Sequence, residues 1–144
     1  MIYVKDLRAY AEALLQRVSG IRSVTMVSVD KEMSEALKQM KSTDFPALFV
    51  VVPSAEDKSV YPDNVSETSQ CLLFLLDRTD QQRRKAIQVL EDTQEVVELL
   101  KKTMREDAGK PCHFMSGLRS VSTNPETGLY SDYSGWSISF NLSE

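Results

Sequence analysis

Residues 81–108 form one amphipathic stretch, and no other feature constrains the fold as much. Ala86, Ile87, Leu90, Gln94, Val97, Leu100 and Met104 recur at helical spacing, while Glu91, Asp92, Glu95, Glu98, Lys101, Lys102 and Arg105 occupy much of the opposite face. Thr79 with Gln82 offers a capping signal, and Gly109 with Pro111 closes the run. A helix of this length spans about 42 Å, enough to cross a whole sheet, so its apolar stripe demands a sheet to lie on.

The sheet is legible in the strand patterns. Trp136, Ile138, Phe140 and Leu142 alternate strictly with Ser137, Ser139 and Asn141, which predicts a final strand with one face in a core and one in water. Ala47-Leu48-Phe49-Val50-Val51-Val52, bounded by Pro46 and Pro53, reads as a strand buried on both faces. Residues 70–77 return to β pattern and are expected to pair antiparallel with 47–52 around a polar loop, 53–69. Residues 24–29 and 118–122 supply two shorter β segments, and 123–128 carries turn chemistry. Helix is expected over 3–18, where Val4, Leu7, Tyr10, Ala11, Leu14, Leu15 and Val18 form a stripe. A shorter helix follows Asp30, on Met33, Ala36, Leu37 and Met40. At 144 residues the chain predicts a single α+β domain. Its mixed, mostly antiparallel sheet packs against the long helix and the N-terminal helix.

Composition excludes more chemistry than it identifies. The net charge of −4 removes any global electrostatic reason for binding nucleic acid. A single histidine and two cysteines without CxxC spacing cannot build the common zinc sites, and the five glycines form no phosphate loop. Cys71 reads as a buried hydrophobe, and the neighbouring Cys112-His113 pair lacks a second histidine to orient it. No catalytic residue, cofactor or metal is expected, and the expectation is a protein that is not an enzyme. Lys5, Asp6, Arg8, Glu12 and Arg17 break any secretion signal, and no apolar run approaches a membrane span. A cytoplasmic location is the expectation, with no membrane partner and no sequence-specific nucleic-acid contact.

Arg83-Arg84-Lys85 stands out because it places three cations at the positive end of the long helix. That invites either a solvated face or contact with an anion or an acidic partner. Tyr130 and Tyr133 bracket Ser131-Asp132 ahead of the last strand and are candidate partner contacts.

The strand Cys71–Leu76, the long helix and the run Gly135-Trp136-Ser137-Ile138-Ser139-Phe140 together resemble phage tail-terminator and tail-completion proteins. The resemblance implies a mixed sheet with packed helices. It also implies self-association into a ring, typically hexameric, that caps the tail tube at the head–tail junction and meets other tail or connector proteins. The protein would then reside in the host cytoplasm before assembly and in the virion afterwards. Loop 53–69 would contact the tube or neighbouring subunits, which makes Tyr61 and Asp63 candidate contacts beside Arg83, Arg84, Tyr130 and Tyr133. The alternative is a small cytoplasmic binding or inhibitor module, of the immunity or adaptor type, working through the acidic helix face at Glu91, Asp92, Glu95 and Glu98.

Overall fold

The computed structural model describes residues 2–28, 30–57, 67–80 and 82–143. The elements run α1 (Val4–Arg17), β1 (Ser23–Val27), α2 (Asp30–Gln39), a 3₁₀ turn at Ser42–Asp44, β2 (Ala47–Asp57) and β3 (Glu67–Arg78). They continue with α3 (Ala86–Ala108), β4 (Leu118–Leu129) and β5 (Tyr133–Ser143). The five strands form one mixed sheet in the order β1-β2-β3-β5-β4. β1 runs parallel to β2, and every other pairing is antiparallel. This is the α+β architecture the pattern predicts.

The sheet carries a core on each face. Leu48 and Val50 of β2, Leu73 and Leu75 of β3, and Ile138, Phe140 and Leu142 of β5 point to the side covered by α1 and α3. There they meet Leu7, Ala11, Leu14, Val97, Leu100 and Met104. On the other side Ala47, Phe49 and Leu76 pack with Val27, Phe45 and the Met33–Leu37 stripe of α2. Residues Ala47 to Val50 are therefore buried on both faces, as a continuous apolar run requires. Trp136 ties the last strand to the long helix, its indole N–H donating to the Leu90 carbonyl at 3.2 Å.

Several expected boundaries move, each for a local reason. The long helix begins at Ala86, not at residue 81, and spans about 35 Å. Asp80 and Arg84 exchange two 2.7 Å backbone hydrogen bonds and close a turn ahead of it. Thr79 and Gln82 therefore do not cap the helix; Gln88 accepts the Lys85 N–H at 3.0 Å instead. The buried stripe is also rotated from the predicted one. Ile87 is 60% exposed and Gln94 is exposed, while Thr93, Thr103 and Asp107 turn inward. The two threonine hydroxyls donate back to the Val89 and Leu99 carbonyls, which satisfies them inside the core.

Two prolines do not stop their strands. Pro53 falls in the register break between Val51 and Ser54, beyond the last β1 pairing at Val51. β2 then continues to Asp57, paired with Glu67. The predicted loop over 53–69 is thus shorter, and residues 58–66, with Tyr61 and Asp63, lie outside the described residues. Pro125 sits within β4, an edge strand where a missing N–H is tolerated. The turn expected at 123–128 is therefore strand, and the chain reverses at Tyr130 and Ser131, both with positive φ. The serine face of the last strand is not simply wet either. Ser137 is buried and donates to Glu126 Oε1 at 2.9 Å, because β5 lies inside the sheet between β3 and β4.

Candidate functional site

Polar chemistry gathers at the end of the sheet where β3 finishes, β5 begins and α3 starts. Two clefts open there, of about 560 and 340 Å³. Arg84 and Thr79 line both. The Arg84 guanidinium reaches Asp77 Oδ2 at 3.0 Å through Nη1, and Asp92 Oδ2 at 3.0 and 3.2 Å through Nη2 and Nε. Burial works against its charge, but the two carboxylates outweigh burial and raise its pKa.

The larger cleft takes its walls from three separate segments: Phe45 after the 3₁₀ turn, Asp77 to Asp80 from the end of β3 into the closed turn, and Asp132 of the β4–β5 hairpin. Arg78 lies over the Phe45 ring at 5.1 Å and donates to the Met40 carbonyl at 2.8 Å. Tyr133 stacks on Phe45, with centroids 5.7 Å apart, and donates to the Leu37 carbonyl at 3.3 Å. Tyr133 therefore braces α2 against the sheet. The smaller cleft lies between the start of α3 and the hairpin tip, lined by Thr79, Arg84, Lys85, Gly128, Ser131 and Ser134 among others. Ser134 is fully buried, and its hydroxyl oxygen accepts the Gly128 N–H at 3.2 Å.

Of the residues singled out in the sequence, Arg84 and Tyr133 come to this end of the molecule: Arg84 lines both clefts, and Tyr133 stacks on Phe45, which lines the larger one. Arg83 is exposed on the turn beside them, and Tyr130 stands at the hairpin tip, 37% exposed. Sequence reading did not find Phe45, Asp77, Arg78, Asp80 or Asp132, since no local spacing joins three segments so far apart in the chain.

A second polar cluster was also missed. Asp107, fully buried near the end of α3, receives both Arg17 Nη atoms at 2.7 and 2.9 Å, the Tyr10 hydroxyl at 2.6 Å and Lys110 Nζ at 3.0 Å. The Arg17 hydrogen bonds, against the penalty of burial and with help from Tyr10 and Lys110, hold its carboxyl well below the ordinary range. Burial first, then the hydrogen bond to Asp107, raises the Tyr10 pKa. The signal was present: Asp107 continues the Leu100, Thr103 and Met104 stripe, and a carboxylate on a buried stripe needs partners.

His113 contacts Met115 and Tyr10. Its Nδ1 accepts the Met115 N–H at 3.0 Å, and its ring meets Tyr10 edge-on at 5.8 Å. Cys112 is exposed, whereas burial pushes the Cys71 thiol up to about 12. Among the described residues no group of three or more His, Cys, Asp and Glu side chains converges as a metal site, and no helix is long and apolar enough to cross a membrane. The acidic face of α3 is partly neutralised by its own chain, with Asp92 held by Arg84 and Glu98 by Lys101. Compared with known proteins, the chain matches no family model and no curated protein.

Proposed function

We propose that the protein is a structural assembly subunit of the phage tail-terminator type, self-associating into a ring that caps a tail tube at the head–tail junction. It works without catalysis, its partners are further copies of itself and the adjoining tail or connector proteins, and it moves from the host cytoplasm into the virion. The observation that carries this reading is the order of elements. The β1-β2-β3-β5-β4 mixed sheet, closed by the β4–β5 hairpin and crossed by one long helix, is the kind of fold the resemblance implies.

The alternative, a binding module acting through the acidic face of α3, is less well supported, because two of its four carboxylates already have cationic partners in the same chain. Light scattering on a size-exclusion column tests the assembly reading. The expected mass is a multiple of the 16.3 kDa chain. A protein that stays strictly monomeric at high concentration overturns it.

A further inference from the structure

The run Arg83-Arg84-Lys85 finds only part of its explanation in the fold. Arg84 is spoken for by Asp77 and Asp92, but Lys85 is exposed and has no ion-pair partner among the described residues. We propose that the smaller cleft beside Lys85 binds a phosphate-class oxyanion, either free or as the monoester of a small molecule. This inference is independent of the assembly reading.

The lining of the cleft carries the argument. It presents two cations, Arg84 and Lys85, and two hydroxyl residues, Thr79 and Ser131, beside the buried Ser134, and among the described residues no carboxylate lines it. The carboxylates of this region, Asp77, Asp80 and Asp132, line the larger cleft instead, so Arg84 stands between an acid-bearing cleft and one of cations and hydroxyls. Charged donors with several hydroxyls are the complement of a tetrahedral oxyanion, which offers only acceptors when fully ionised.

Arg84 can contribute without leaving its buried partner. The Asp77 side chain is 11% exposed and anchors Nη1, whereas Asp92 is 59% exposed. An exposed pair of that kind is worth little and exchanges readily, which frees Nη2 for a ligand. A volume of about 340 Å³ holds a phosphoryl group with a short substituent, at the small end of ligand pockets. An anion here also offsets the cations that crowd this end of α3.

The test is an amide NMR titration of the full chain with inorganic phosphate and, separately, with glycerol 3-phosphate, at matched ionic strength with acetate as the control anion. Saturable shifts are expected at Lys85, Ser131 and Ser134 with at least one phosphate compound and not with acetate. Tighter binding of the monoester identifies a phosphorylated small molecule as the ligand, and equal binding identifies free phosphate. Lys85→Gln, at an exposed position, should weaken binding about tenfold, or ~1.4 kcal/mol, with an unchanged unfolding midpoint. Lys31→Gln, an exposed lysine on α2, should leave binding unchanged. Shifts that never saturate, an equal response to acetate, or a Lys85→Gln variant that binds like the wild type would each overturn the proposal.

Discussion

Gly135 shows how one residue can set the geometry of a sheet. It pairs with Leu76 on β3, and a Cβ built on it would sit 1.8 Å from the Leu75 carbonyl oxygen. Backbone, not a flexible side-chain end, fills that space, so no neighbour can give way. The glycine of the Gly135-Trp136 pair is thus required by the close approach of β5 to β3, and the tryptophan beside it carries the link to Leu90. Gly135→Ala should destabilise the fold by about 3 kcal/mol or more, since either β5 must move off β3 or the pairing must break. Urea unfolding measures this, and a loss under about 1 kcal/mol would mean the two strands can separate locally at small cost. Gly128 makes an instructive contrast. It has a positive φ of 66° but nothing within 4 Å of a Cβ, so only its backbone conformation resists substitution.

Between elements, the strongest polar link joins α1 to α3 through Asp107. Arg17 and Tyr10 lie about two turns apart on α1, and the carboxylate that both reach sits where α3 ends. A carboxylate at the negative end of a helix is misplaced for the dipole, so its partners supply what the backbone does not. Removing the charge with Asp107→Asn should cost about 3 kcal/mol, toward the lower end for a broken buried pair because Arg17 is 38% exposed. The sign of the pH dependence follows from the depressed pKa. The folded state binds fewer protons at this site than the unfolded one, so the contribution is complete above the unfolded value of about 3.9. It is lost as pH falls below that value toward the low folded pKa. Unfolding free energies measured at pH 7, 4 and 3 should therefore converge for wild type and Asp107→Asn as the pH drops. Parallel curves would show that the Asp107 charge is not what the clamp depends on.

The elements differ in how much of them the sequence conveys. Apolar spacing located all three helices and paired β2 with β3, because burial imposes its period directly on those residues. It missed the start of α3, where a turn closed by the Asp80 and Arg84 backbones displaces the helix, and it placed Ile87 and Gln94 on the wrong side. Threonines that bond back to their own helix, and a carboxylate with four donors, can occupy a core face that hydrophobicity alone assigns elsewhere. Proline misled at positions 53 and 125, since it stops a strand only where a neighbour needs its N–H.

Over the whole molecule, strand order is what the sequence leaves open. A hairpin reading pairs β4 with β5 but does not say which of the two adjoins β3, and the clefts exist because β5 does. The finished sheet also limits how copies can meet. β4 is an edge broken by Pro125 and two register shifts, and β2 runs past β1 with Pro53, Glu56 and Asp57. Edges of this kind resist the addition of a strand, and β1, the remaining edge, is five residues long. In the proposed assembly, contact between copies is therefore expected to use faces. On the side of the sheet that carries α2, Val51, Leu72 and Phe74 are half-buried, and Leu72 belongs to neither core. Val51, Leu72 and Ser139 border an open trough of about 310 Å³ there. If the copies meet through this face, Leu72→Gln should shift the mass on a size-exclusion column toward the monomer while leaving the unfolding midpoint nearly unchanged. Glu95→Lys, on the exposed side of α3, should leave the mass unaltered. A protein that dissociates on Glu95→Lys and not on Leu72→Gln would move the interface to the helical layer and restore the acidic face of α3 as the surface that meets a partner.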